Sequence, residues 1–214
     1  YGCSNNNNED SYHQMLMDVK QKIDENRQRI YDNDDSPDVM QSLGIDFIEG
    51  RAYFLDSKTI EVNSTTTTTS SSSSSQQITA KYGIVVATGA IPQILNIQGL
   101  NQVLYWTYEN VWNDFFVEVG QKNKARKLQE TKVIVVGGGP VGCELSQAIS
   151  RLGCSVVIIS KSDRLLPSGE EVASLELQRV FEKENIEVIC GESAVSVTKD
   201  ESDRVELALE SGKR

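Results

Sequence analysis

Lys132-Val133-Ile134-Val135-Val136-Gly137-Gly138-Gly139-Pro140-Val141-Gly142-Cys143-Glu144 carries a strand, a turn and the start of a helix in immediate succession. The β-branched run suits a buried parallel strand, and Gly-x-Gly-x-x-Gly follows it without a spacer. Gly137 allows a tight turn off the strand. Gly139 lets the backbone approach a pyrophosphate, and Gly142 lets the next helix pack close to the sheet. Leu145, Ala148, Ile149 and Leu152 then fall at i, i+3, i+4 and i+7, one apolar helix face, which Gly153 ends. Ser155-Val156-Val157-Ile158-Ile159 reads as a second buried strand and completes a β-α-β unit. The free N–H groups at the helix start, with the helix dipole, would face phosphate charge. The three elements together are the context that a dinucleotide-binding turn requires.

Around this unit, the 214 residues carry a formal charge of −10. That balance argues against nucleic acid or an anionic membrane surface as the main partner. No apolar run approaches the roughly 20 residues of a membrane span. The chain begins at Tyr1, not at a methionine, and reads as a piece of a longer protein. Cys3, Cys143, Cys154 and Cys190 lack Cys-x-x-Cys spacing, so no disulfide scaffold is expected; the last three read as buried, inert thiols. His13 has no second ligand at usable spacing, so no metal site is expected.

In chain order, residues 1–10 are asparagine-rich and expected to be mobile. Tyr12, Met15, Leu16, Val19, Ile23 and Ile30 then predict an amphipathic helix packed on its own domain. Residues 32–37 break it, and Pro37 can open a short second helix reaching about Leu43. Strand-like pieces are expected around Phe47-Ile48, Ala52-Tyr53-Phe54 and Thr59-Ile60-Glu61-Val62. The Ser/Thr tract 63–77 has no apolar residue with which to build a core and reads as a disordered loop between strands. Residues 82–89 are expected as a buried strand ending in small residues, and 91–99 as a connector. The aromatic-rich stretch 103–112 is expected to pack against the next domain, and 121–132 is read as a solvated polar insertion. After the second strand come a loop, a helix over 170–184 with Ala173, Leu177, Val180 and Phe181 on one face, a third strand at 186–190, and a hairpin from 195–197 and 205–209.

Four pieces of this sequence, in order and at matching spacing, resemble the pyridine nucleotide–disulfide oxidoreductases, the flavoprotein family that includes mercuric reductase, dihydrolipoyl dehydrogenase and glutathione reductase. They are Gly50-Arg51-Ala52-Tyr53-Phe54, Val85-Val86-Ala87-Thr88-Gly89, Gly137 to Glu144, and Asp163-Arg164-Leu165-Leu166-Pro167. The resemblance runs from about Ile45 to Leu209, and the glycine-rich piece is most similar to mercuric reductase and its relatives. It implies an α/β fold in which a Rossmann-like NAD(P)-binding β-α-β domain follows the C-terminal part of an FAD-binding domain with a small β-meander. Residues 1–97 would be the partial FAD domain, 98–131 a connector and 132–214 a truncated NAD(P) domain.

The resemblance also implies site residues. Arg51 and Ala52 would meet the FAD adenine, and Ala87, Thr88 and Gly89 the flavin cofactor near the crossover to the next domain. Gly137, Gly138, Gly139, Pro140, Val141 and Gly142 would cradle the NAD(P) pyrophosphate. Glu144 would sit near the nicotinamide–flavin contact; its plain alternative is a first-turn acid favoured by the dipole. At the end of the second strand a carboxylate would favour NADH, but this chain has Ser160, then Lys161 and Arg164. A hydroxyl beside cations suits a 2′-phosphate, so NADP is expected over NAD.

No redox cysteine pair, His-Glu pair or FAD-pyrophosphate fingerprint is present in these residues. The implied whole protein passes hydride from NAD(P)H to FAD and then to a disulfide or metal ion, and is a homodimer in a reducing compartment or organelle interior. The fragment alone is expected to be inactive. The alternatives are a nucleotide-binding module without turnover, or a two-dinucleotide flavoenzyme of the NADH dehydrogenase or monooxygenase type.

Overall fold

A computed structural model describes residues 6–63, 75–120, 131–201 and 204–213. The first five residues, 64–74 of the Ser/Thr tract and 121–130 of the polar run lie outside the described residues. The chain divides into two compact units, Lys22–Ile91 and Tyr1–Gln21 with Pro92–Arg214.

Helix α1 (Asn6–Ile30) takes in residues 6–10 of the leader, all of which is expected to be mobile. Asparagine costs a helix only about 0.7 kcal/mol or less relative to alanine, too little to stop one already nucleated downstream. Leu16 is buried, and Val19 and Ile23 are half-buried on the expected face. A π-helical turn at Tyr31–Asp35 follows, and the Ser36 hydroxyl accepts the Val39 N–H to cap α2 (Pro37–Ser42). The three strands β1 (Arg51–Phe54), β2 (Thr59–Asn63) and β3 (Ser75–Thr79) form an antiparallel meander in that order.

Three expectations for this unit are corrected. Phe47-Ile48 is not a strand. Asn63 and residues 75–77 belong to β2 and β3, not to a loop: Asn63 pairs with Ser75 and Glu61 with Gln77. Cross-strand backbone bonds form whatever the side chains are, so a serine tract can enter a sheet. Residues 82–89, expected as a buried strand, are irregular, with Val85 90% and Val86 64% exposed. A strand exists only by pairing, and this run has no ladder partner among the described residues.

In the second unit, β4 (Lys132–Val136), β5 (Ser155–Ser160) and β6 (Glu187–Cys190) form a parallel sheet in the order β4-β5-β6. Val136 pairs with Ile159, and Ser160 with Cys190. Helix α4 (Pro140–Arg151) connects β4 to β5 and packs on both, while α5 (Glu171–Lys183) connects β5 to β6. Val157 and Ile159 of β5 pack with Ile134 and Ile189 against Leu207 and Leu209 of the hairpin β7 (Ala194–Lys199)–β8 (Val205–Leu209). Side chains alternate along a strand, so Val156 and Ile158 turn to the opposite face. Burying a side chain such as Ile158 or Phe181, both 0% exposed, stabilises by about 1.5–3 kcal/mol.

The helices are tied to each other as well as to the sheet. Arg151 Nη2 and Gln147 Nε2 both donate to Glu184, the C-cap of α5, at 2.7 and 3.1 Å. On α5, Leu177 and Val180 are half-buried and Phe181 buried on the expected face, but Ala173 is exposed and Ser174 buried in its place. The aromatic-rich stretch leads into a helix not foreseen, α3 (Val111–Gly120), where Phe115 meets Trp106 edge-on and Trp112 stacks on Phe116. Within the expected connector, Gln98 accepts the Val197 N–H on its carbonyl at 2.8 Å, adding a one-residue bridge to the hairpin.

A side chain at position 142 would strike the Gly137 carbonyl, so α4 meets the turn at closer range than any Cβ permits. Gly142→Ala should therefore cost about 1–3 kcal/mol, the range for forcing atoms into a packed site. Gly139→Ala, whose Cβ meets nothing within 4 Å, should cost about 1 kcal/mol or less. Thermal unfolding followed by circular dichroism checks this, and equal melting of the two variants would contradict it.

Candidate nucleotide site

The turn is built at the C-terminal ends of the parallel strands. Gly137 adopts φ 126, a region closed to side chains, and its N–H donates to the Ile159 carbonyl at 2.8 Å. Gly138 is buried: a Cβ there would lie 2.6 Å from Ser160 Oγ. Its carbonyl accepts the Leu166 N–H at 2.7 Å and the Cys143 thiol at 3.6 Å. Gly139 is the N-cap of α4, with extended backbone and open space above it, and Pro140 occupies the first helical position. Proline has no N–H to leave unsatisfied there. The N–H groups of Gly139, Val141 and Gly142 donate to no backbone carbonyl among the described residues. A row of unused donors at the positive end of a twelve-residue helix is an anion site in waiting.

The strand end separates the three residues expected to act together. Ser160 is 2% exposed and lies beneath Gly138, with its carbonyl accepting the Glu192 N–H. Lys161 is exposed. Arg164 instead turns into its own loop, donating to the carbonyls of Leu166, Pro167 and Gly169. Asp163, exposed, places Oδ1 3.7 Å from the Cβ position of Gly191 at the end of β6. Glu144 is exposed in the second turn of α4, since the helix starts at Pro140; the first-turn reading does not hold.

The flavin candidates lie in the other unit. Arg51 and Ala52 are exposed on β1, paired with Asn63 and Val62. Ala87, Thr88 and Gly89 are exposed and irregular, with Gly89 at φ 73. Gly50 is required by the sheet, because a Cβ would sit 2.6 Å from the Asn63 carbonyl. No group of three metal-ligating side chains occurs among the described residues, and no described helix is long and apolar enough to cross a membrane. Sequence reading named Gly138 for the pyrophosphate cradle but missed Leu166, whose N–H holds the Gly138 carbonyl. The signal available for Leu166 was only the short loop after β5.

Residues 11–214 match the family model for pyridine nucleotide-disulphide oxidoreductase. A mercuric reductase of Staphylococcus aureus is 30% identical over 156 residues, covering 72% of this chain and 24% of that protein. A dihydrolipoyl dehydrogenase of Thermus scotoductus is 28% identical over 175 residues, covering 80% of this chain and 32% of that protein. The chain thus spans a third or less of these relatives' length. The crystal structure of LpdA from Mycobacterium tuberculosis shares the fold, with TM-score 0.63 at 23% identity over 94% of this chain and 40% of that one.

Burial pushes the Cys154 thiol up to about 11 from an ordinary 9.0, and burial likewise raises Cys143 and Cys190. An unfolded thiol ionises near about 9, so the neutral thiol's share of stability is whole below that pH and is lost as pH rises toward the folded value. Denaturant midpoints of wild type should therefore fall between pH ~9 and ~11 more steeply than those of Cys154→Ala. Parallel curves would contradict the assignment.

Proposed function

The chain belongs to the pyridine nucleotide–disulphide oxidoreductase family, and from that premise we propose that it carries the NAD(P)-binding site of an FAD-dependent oxidoreductase. One observation carries the reading: the unused amides of Gly139, Val141 and Gly142 lie at the start of α4, beside an open Gly139. The pyrophosphate would rest on those amides, with Gly137, Gly138 and Pro140 shaping the turn. Val141 and Glu144 lie on the same helix end, and Glu144 would help position the reacting rings. Bound there, the nucleotide supplies hydride to a flavin, and the residues of this chain bind and orient it.

In this reading residues 1–97 belong to an FAD domain, 98–131 connect it, and 132–214 form the NAD(P) domain. Arg51, Ala52, Ala87, Thr88 and Gly89 would border the FAD. Among the described residues they form no cradle on their own. The whole protein would pass electrons on to a disulfide or a metal ion and work as a homodimer. A two-dinucleotide flavoenzyme of another type, or a module without turnover, is the alternative. Steady NADPH-dependent disulfide reduction by these 214 residues alone would contradict the assignment of the acceptor chemistry to other segments.

NADPH is the proposed nucleotide, on the neutral Ser160 at the strand end and the exposed Lys161 beside it. NADH has one observation in its favour: Asp163 is exposed near the end of β6, while the Arg164 guanidinium is engaged with its own loop. Lys161→Glu decides between them. It should weaken NADPH by about tenfold or more and leave NADH nearly unchanged, since only the 2′-phosphate meets the reversed charge. Gly139→Ala should weaken both while lowering the melting temperature far less than Gly142→Ala does. Fluorescence titration reads both variants, and unaltered NADPH affinity in Lys161→Glu would reject the NADPH assignment.

A further inference from the structure

We propose that Arg164 is a positioning residue for the nucleotide turn, holding loop 163–169 in the shape that clamps Gly138 without touching the nucleotide itself. The inference rests on reading that turn as the nucleotide site. Arg164 Nη1 donates to the Leu166 carbonyl at 3.2 Å, and Nη2 to those of Pro167 and Gly169 at 3.1 and 2.8 Å. The Gly169 N–H closes the same loop on the Leu166 carbonyl at 2.9 Å. Three carbonyls converge on one planar fork, a geometry that a lysine ammonium does not reproduce.

Inside the loop, Leu166 takes φ 49, a left-handed conformation that a leucine keeps only where its surroundings hold it. In that conformation its N–H reaches the Gly138 carbonyl at 2.7 Å. Leu165, fully buried, places Cδ2 3.1 Å from the Cβ position of Gly138. The peptide bond is planar, so the unit whose carbonyl is pinned toward the loop also carries the Gly139 N–H, pointing the opposite way. Fixing the Gly138 carbonyl therefore aims one of the amides that would meet the pyrophosphate. The effect reaches the diphosphate common to both nucleotides and ignores the 2′-phosphate that distinguishes them.

The test titrates NADH and NADPH into wild type, Arg164→Lys and Arg164→Gln, with thermal unfolding and amide exchange at Leu166 measured on the same proteins. Both variants should melt near wild type and lose Leu166 protection by about tenfold, as a surface loop freed of its bonds does. Both nucleotides should weaken by the same factor, about tenfold, in lysine and glutamine variants alike. A lysine variant that keeps wild-type affinity, or a loss confined to NADPH, would overturn the proposal in favour of direct phosphate contact. Unchanged Leu166 protection would overturn it whatever the binding result. If wild type binds neither nucleotide while Leu166 exchange still responds, the reading of the site fails, and the positioning role falls with it.

Discussion

The carbonyl of Gly137 occupies the place a side chain on residue 142 would need. That single contact sets how closely α4 approaches the sheet. Only three residues separate the end of β4 from the start of α4, so its free amides follow directly on the C-terminal end of that strand. The turn is held from three directions: Gly137 N–H to Ile159, Gly138 carbonyl to Leu166, and Gly138 itself against Ser160. A binding surface made of backbone must be fixed by such contacts, since it has no side chains of its own to hold it.

Charge and burial divide the strand end in a way that bears on nucleotide choice. Ser160 lies under the turn and supports it, so the polar recognition of a ribose would fall to residues beyond the strand. Lys161 and Asp163 lie two residues apart with opposite charge, and both are exposed. The outcome therefore depends on which of them a ribose substituent would meet.

The β-α-β unit was legible because its signals are local: a β-branched run, three glycines and a helix-period pattern all sit within about thirty residues. The α5 helix was also legible, with Leu177, Val180 and Phe181 on its inner face; at its start Ser174 is buried in place of Ala173. Residues 82–89 failed as a strand because an apolar run states only that it can pair, not that a partner is beside it. Arg164 read as a cation for a phosphate, and its bonds to the carbonyls of its own loop were not legible. A guanidinium beside a glycine turn looks the same in sequence whether it meets a phosphate or three carbonyls of its own loop.

The most direct test of the account is a backbone amide spectrum of this chain recorded while NADPH is added. The account predicts that Gly139, Val141 and Gly142 shift first and most, because their N–H groups donate to no backbone carbonyl among the described residues and are left for an anion. Shifts that bypass these three amides, or a spectrum that saturating nucleotide leaves unchanged, would contradict it.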